Sequence, residues 1–175
     1  MLHRIAIILL ALIGLAACSF TPTQPEQNWS FSGKIGVTTP NDALAGFIEW
    51  KQTGNVFDVF VSGPFTVGQT RITGNQANIA ITQNGQTTEG INPQALIYEQ
   101  LGWYFPIENL PYWLKGEASP YSQASIEGEA NTEVIHQDGW QVEYLRYDAY
   151  YELPSKIRIR QGDWKFLIVV KHWSV

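Results

Sequence analysis

The side chains able to do covalent or acid–base chemistry are few. The chain has one cysteine, Cys18, and three histidines, His3, His136 and His172. It contains no Gly-rich phosphate loop, HExxH or GxSxG segment. A single cysteine forms no internal disulfide and no multi-cysteine metal site. His3 belongs to an N-terminal segment that reads as removed in the mature protein. His136 and His172 fall within strand patterns, where a histidine more often serves structure than catalysis. Two carboxylates close in space could hydrolyse a glycosidic bond, but nothing in the spacing selects a pair. No catalytic residue, cofactor or metal site is therefore expected, and the chemistry narrows to Cys18.

The neighbours of Cys18 give it a role. Met1-Leu2-His3-Arg4 is weakly basic, and residues 5–17 form an unbroken apolar run. That run is short of the ~20 residues that span a bilayer as a helix, and it has the length of a signal-peptide core. It ends in Leu15-Ala16-Ala17-Cys18, which resembles a bacterial lipobox. In that resemblance residues 1–17 are cleaved, the Cys18 sulfur is diacylated, and the new amino group receives a third chain. Ser19, where an Asp would favour the inner membrane, points to the outer membrane. The other reading is a plain secretory peptide with an incidental cysteine. Two or more acyl chains anchor a protein stably. Residues 18–28 then form an acylated cysteine and a short extended tether containing Pro22 and Pro25. Residues 29–175 form one domain.

The elements that must position any site are mostly strands. Trp29, Phe31, Gly33, Ile35 and Val37 alternate with polar residues, which is the period of a half-buried strand. Residues 43–52 place Leu44, Gly46, Ile48 and Trp50 on one face. Thr53-Gly54-Asn55 turns the chain into residues 56–62, with Phe57, Val59 and Val61 on one side. Gly63-Pro64 breaks this strand. Another ends near Gly74, the next carries Ala77, Ile79 and Ile81, and Asn84-Gly85 signals a hairpin. Later, residues 133–137 and 140–147 flank Asp138-Gly139, with Trp140, Val142 and Tyr144 on one face. In residues 155–161, Ile157 and Ile159 point in. In residues 164–173, Trp164, Phe166, Ile168 and Val170 share a face, with Leu167, Val169 and Trp173 opposite. Residues 117–131 read as loop. Roughly ten strands at hairpin spacing predict a large curved antiparallel sheet or an incomplete barrel.

One stretch breaks the β pattern. Residues 101–116 are the most apolar and aromatic part of the mature chain, and Pro106 and Pro111 exclude a central strand. Ile107, Leu110, Trp113 and Leu114 fall on one helical face. Before them, Asn92-Pro93 predicts a helix start and Gly102 its stop. This helical piece reads either as a cover over one mouth of the sheet or as an ordinary core-packing insertion. Phe65, just after Gly63-Pro64, also has two readings: a ring folded back into the core, or an exposed apolar tip that touches lipid.

The bulk composition sets limits. At 45% hydrophobic and 13% aromatic, 175 residues can fill one large core. A formal charge of -5 with no basic stripe argues against nucleic acid as a partner and against electrostatic adsorption to an anionic membrane.

Several ordered fragments resemble the outer-membrane lipoprotein receptor family LolB. They are Trp29-Ser30-Phe31-Ser32-Gly33-Lys34-Ile35-Gly36-Val37, Phe47-Ile48-Glu49-Trp50-Lys51-Gln52, Gly63-Pro64-Phe65, Leu101-Gly102-Trp103 with Pro106, Tyr112-Trp113-Leu114-Lys115-Gly116, Gln137-Asp138-Gly139-Trp140 and Leu153-Pro154. The resemblance implies an eleven-stranded unclosed barrel, similar to the soluble carrier LolA, with short helices covering a hydrophobic cavity. It implies no reaction. It implies a monomer that accepts triacylated client lipoproteins from periplasmic LolA, holds their acyl chains, and inserts them into outer-membrane lipid. The family's exposed apolar residue on an early loop, typically Leu, maps onto Phe65 with Gly63 and Pro64. Cavity candidates are Trp50, Phe57, Val59, Phe105, Leu110, Trp113, Trp140, Tyr144, Ile157, Phe166 and Ile168. Two other classes stay open. One is a lipoprotein scaffold subunit of an outer-membrane assembly machine, with a filled core. The other is a lipid-acting enzyme with a polar cluster at the cavity wall.

Overall fold

The computed structural model describes residues 28–63, 69–129 and 132–175. Eleven strands form one antiparallel sheet: β1 (Asn28–Thr38), β2 (Ala43–Thr53), β3 (Val56–Ser62), β4 (Gln69–Gly74), β5 (Ile79–Gln83), β6 (Gln86–Gly90), β7 (Ala124–Glu127), β8 (Val134–Gln137), β9 (Trp140–Tyr147), β10 (Pro154–Gln161) and β11 (Trp164–Ser174). Two helices, α1 (Pro93–Leu101) and α2 (Leu110–Trp113), separate β6 from β7. The spatial order is β6-β5-β4-β3-β2-β1-β11-β10-β9-β8-β7. Sequential hairpins build both halves, and the first and last strands join them. The sheet ends at β6 and β7, so it is unclosed. The helical segment must carry the chain from one free edge to the other.

The hairpin turns follow from sequence. Asn84 and Asp138 have φ of 50° and 52°, each followed by a glycine with positive φ. Asn and Asp tolerate this region, and the Asn-Gly and Asp-Gly pairs suit two-residue turns. β6 carries no apolar face, and four of its five residues are exposed. The hairpin with β5 alone defines it.

The inner face follows the alternation along β1, β2, β3, β9 and β10. Two features depart from the sequence reading. Trp173 lies on the inner face with Val170, not opposite it: Ser32 pairs with His172 but Gly33 pairs with Val170, so Lys171 is an extra residue that reverses the phase. Gly33 permits this close approach, since a Cβ there would collide with the Val169 carbonyl. Residues 117–131 are not all loop. Ala124–Glu127 pairs with β8 as an edge strand, although Ile126 stays exposed. Its four residues offer too little alternation to be read, and the β8 ladder specifies it.

α1 is capped as its sequence requires. The Asn92 Oδ1 accepts from Ala95 N–H at 3.1 Å, and Gly102, with φ 70°, donates its N–H to Tyr98 O. The described strands share one sheet, and one buried core runs from Trp29 to Trp173. Among the described residues no helix is long and apolar enough to cross a membrane.

Candidate functional site

The inner face of the sheet brings the sequence candidates together. Trp50 pairs with Val59 across β2 and β3. Ile157 pairs with both Ile168 and Tyr144. Phe166 pairs with Ile159. Phe105, Leu110 and Trp113 reach the same interior from the segment that crosses it. All eleven candidates are buried, between 0% and 4% exposed. Ile107 and Leu114 are buried with them, but so are Asn109, Pro111 and Tyr112, so burial is not confined to the one helical face read from the sequence: the segment is enclosed by the folded chain.

Two clusters of aromatic rings lie at opposite ends of the inner face. At the end where β1 starts, Phe57, Trp50, Trp29, Phe31 and Trp173 contact one another in sequence, with centroids 5.3–6.4 Å apart. Every member is on a strand. At the opposite end, Phe105 lies 4.8 Å from Phe166, which lies 6.0 Å from Trp140, which stacks on Tyr104 at 5.8 Å. Here Tyr104 and Phe105 come from the covering segment, residues 102–123 between α1 and β7.

A buried glutamine fastens that segment. Gln137 Oε1 accepts from Trp113 Nε1 at 2.8 Å and from Ser119 N at 2.9 Å. Its Nε2 donates to Ser119 O at 2.6 Å and Ser122 O at 2.9 Å. Gln137 thus uses two donors and two acceptor positions, its full capacity. Tyr144 Oη donates to Trp113 O at 2.9 Å, and its phenol is pushed well above the usual range, mainly by burial. Asn109 Nδ2 donates to Asp138 Oδ2 at 2.8 Å, which also accepts from Ser122 Oγ. The sequence reading missed Gln137 and Asn109 as anchors. The signal for Gln137 was a polar residue at an inward position, two after buried Ile135.

Glu108 is a second polar group on this segment. Its Oε2 is shielded from solvent and has no hydrogen-bond partner. Burial, then the nearby Asp138 charge, raises its pKa, partly opposed by a hydrogen bond from its own backbone N–H.

The remaining candidates are placed as follows. Cys18, Pro64 and Phe65 lie outside the described residues; Gly63 directly follows β3. His136 is on β8 with Nε2 3.6 Å from Glu127 Oε2, and His172 is on β11. Among the described residues no His, Cys, Asp and Glu group is arranged to hold a metal. The outer face of the sheet carries a trough of about 1170 Å³. It follows the cross-strand row Ser32, Glu49, Phe60, Arg71 and Thr82. Arg71 Nε donates to Asp58 Oδ1 at 2.8 Å within it, and this contact, more than any other, holds the Asp58 carboxyl below its usual pKa.

An open antiparallel sheet with a helical segment across its inner face is a LolA-type architecture. A LolA superfamily protein from Nitrosomonas europaea superposes with a TM-score of 0.56 over 87% of each chain, at 8% identity. A DUF1329 family protein from Desulfovibrio piger gives 0.50 over 86% of each, also at 8%. These likenesses concern the fold alone. Residues 27–173 match the family described as "Outer membrane lipoprotein LolB". The chain is 38% identical over 153 residues to the outer-membrane lipoprotein LolB of Stutzerimonas stutzeri strain A1501, covering 85% of this chain and 74% of that one. It is 34% identical over 152 residues to that of Pseudomonas fluorescens strain Pf-5, covering 84% and 74%. The chain belongs to the LolB family.

Proposed function

We propose that this protein is an outer-membrane lipoprotein receptor: it accepts acylated lipoproteins from the periplasmic carrier LolA, shelters their acyl chains against the inner face of its sheet, and delivers them into outer-membrane lipid. It performs no reaction. One observation carries the reading. A continuous apolar and aromatic face is covered by a segment that belongs to neither half of the sheet. The need is physical: each buried CH₂ is worth ~0.8 kcal/mol, so a long acyl chain exposed to water costs on the order of 10 kcal/mol. The candidates from Trp50 to Ile168 are buried and packed together. Acyl chains therefore enter by displacing Phe105, Leu110 and Trp113, exchanging one set of apolar contacts for another. A gain of 1.4 kcal/mol per transfer step would bias each about tenfold without a nucleotide.

Residues 1–17 are the signal peptide in this reading, and acylated Cys18 anchors the domain on the periplasmic face of the outer membrane. Phe65, with Gly63 and Pro64, forms the membrane-touching loop. The tether joins the sheet at the start of β1, whereas this loop follows the far end of β3. Residues 18–27 can extend to about 35 Å, and β3, at seven residues, is about 23 Å long. The tether is therefore long enough for the loop to meet the membrane that holds Cys18.

The test uses a soluble form lacking residues 1–18. It is mixed with carrier loaded with a labelled lipoprotein, then with liposomes. Wild type should take the label and pass it on; Phe65→Glu should take it and retain it. If wild type never takes label from active carrier, the receptor reading fails.

A further inference from the structure

The outer face of the sheet sorts the charges of the chain. Three cross-strand rows on β1, β11, β10 and β9 point away from the core. The first is Lys34, Val169, Lys156 and Arg146; the second is Gly36, Leu167, Arg158 and Glu143; the third is Thr38, Lys165, Arg160 and Gln141. Their chain neighbours Ile35, Val37, Ile157, Ile159, Phe166 and Ile168 are buried on the other side. The rows hold six cations and one acid, Glu143. No linear stretch carries this patch, because four strands contribute and each cation alternates with an inward residue. The net charge of -5 for the whole chain conceals it. The expectation against electrostatic adsorption rested on that net charge, which does not describe a single face.

The patch is uncompensated. Lys156 faces Arg146 and Lys165 faces Arg160 directly across the ladders, and like charges so placed are destabilising. Glu143 offsets only part of this. It accepts from Arg158 Nη1 at 2.8 Å and lies 3.1 Å from Arg160 Nη2, which holds two guanidiniums in place. Among the described residues no carboxylate pairs with Lys34, Arg146, Lys156 or Lys165. An external anion would relieve the repulsion. The first row also continues past β1. Lys34 pairs with Phe47 on β2, and Phe47 pairs with Ser62 at the end of β3. Phe47 is 61% exposed, with the Lys34 ammonium 6.0 Å from its ring centre. Gly63 comes next in the chain. An exposed ring and a line of cations thus lead away from the Gly63-Pro64-Phe65 loop.

We propose that this outer face docks on the anionic phospholipid head groups of the membrane that holds Cys18, with its cations against the phosphates and Phe47 among the head groups beside the Phe65 loop. This rests on the reading of Cys18 as the anchor. Three observations favour a lipid surface over an acidic protein. The exposed ring adjoins the loop read as membrane-touching. The tether enters β1, the strand that carries Lys34; Asn28 is about 20 Å from Lys34 along it, within the ~35 Å reach of residues 18–27. The unpaired lysines are spread over an open sheet face rather than set in a pocket, which suits phosphates that diffuse in a fluid surface. Each lysine or arginine near such a surface adds to the attraction. In this posture the covering segment, on the opposite face of the sheet, is turned toward the periplasm, where clients arrive.

The test uses the full chain, acylated at Cys18, in vesicles of phosphatidylcholine alone or mixed with phosphatidylglycerol. A polarity-sensitive fluorophore is attached through Val169→Cys, between Lys34 and Lys156, or through Gln100→Cys, at an exposed position of α1. Phosphatidylglycerol should shift the emission at position 169 to the blue, shield it from acrylamide, and leave position 100 unchanged. High salt should reverse the shift. Lys34→Gln, Lys156→Gln and Lys165→Gln together should lower the ratio of docked to undocked protein about a hundredfold, at roughly fivefold per lysine. Arginine at the same three positions should dock as wild type, which separates charge from folding. A signal at position 169 that ignores phosphatidylglycerol, or that survives the glutamine substitutions, would overturn the inference. A shift that appears only when carrier is added would overturn it too, since the face would then dock an acidic protein. Transfer of labelled lipoprotein in the same vesicles tests the receptor reading separately, so either can fail alone. Loss of the chain from both kinds of vesicle on washing would remove the anchor reading and this inference with it.

Discussion

The two aromatic clusters of the inner face have similar residues and different architecture. Phe57, Trp50, Trp29, Phe31 and Trp173 are all fixed by β-ladders, and the indoles of Trp50 and Trp173 donate to Gln52 Oε1 and Pro154 O. Phe166, Trp140 and Trp164 at the other end are strand residues completed by Tyr104 and Phe105. The first cluster is held wholly by residues of the ladders. The second would lose Tyr104 and Phe105 if the covering segment moved, with every strand left in place. Aromatic content alone therefore does not mark a binding surface. The distinguishing feature is whether the contacts are made within the ladder or across a detachable boundary.

The largest expected effect separates the clusters directly. Trp50→Ala removes a fully buried ring from between two strands and should cost about 3–5 kcal/mol of stability in urea unfolding. Phe105→Ala should cost less, about 2–3 kcal/mol, because the covering segment can settle into the space. Equal losses would mean that the covering segment is as much a part of the core as the strands are, and the distinction would fall.

A smaller effect is expected at the fastening. Gln137→Leu strands the Trp113 and Ser119 N–H groups and the Ser119 and Ser122 carbonyls. A penalty of roughly 2–4 kcal/mol follows, since water can reach some of these groups once the segment loosens. Hydrogen exchange should show protection lost at residues 113–122 while β1, β2 and β3 keep theirs. Uniform loss over the whole sheet would show that the segment and the sheet unfold together. Tyr144→Phe removes the single bond to Trp113 O and should cost about 1 kcal/mol, with the same local pattern at lower amplitude.

Much of this arrangement was legible in the sequence because its causes are local. Alternation set the inner faces of β1, β2, β3, β9 and β10. Asn-Gly and Asp-Gly set two hairpins, and Asn92-Pro93 with Gly102 bounded α1. The 3.6-residue spacing of Ile107, Leu110 and Trp113 marked buried positions, but Asn109, Pro111 and Tyr112 between them are buried too, so the spacing did not reveal how the segment is oriented. What was missed depends on partners distant in the chain. The phase of Trp173 changes because Gly33 allows β11 to bulge. β7 exists because β8 lies beside it. Gln137 becomes an anchor only where Trp113 and Ser119 reach it, and the shielding of Glu108 arises only in the folded chain. The gathering of Trp50, Phe57, Phe105, Trp140 and Phe166 on one face could be expected from period and family likeness. Their division into two clusters could not, because it depends on which ends of the strands adjoin the crossing segment.

The smallest effect lies on the outer face and serves as the contrast for both clusters. Asp58 is held by Arg71, which depresses its pKa in the folded protein. A carboxylate with a depressed folded pKa adds stability above its unfolded value, near 4, and that increment disappears as pH falls through the folded value. Asp58→Asn should therefore be slightly less stable than wild type at pH 6, and the gap should close as pH falls below the ordinary carboxylate range and through the depressed folded value. The pair is on the surface, so added salt should also narrow the gap. Neither cluster nor the fastening touches this carboxylate. Asp58→Asn should consequently leave the exchange pattern of residues 113–122 unchanged at every pH where the sheet is folded. A change there would mean that the outer face of β3 and β4 communicates with the covering segment through the sheet. In that case the two clusters could no longer be treated as separately fixed and detachable parts.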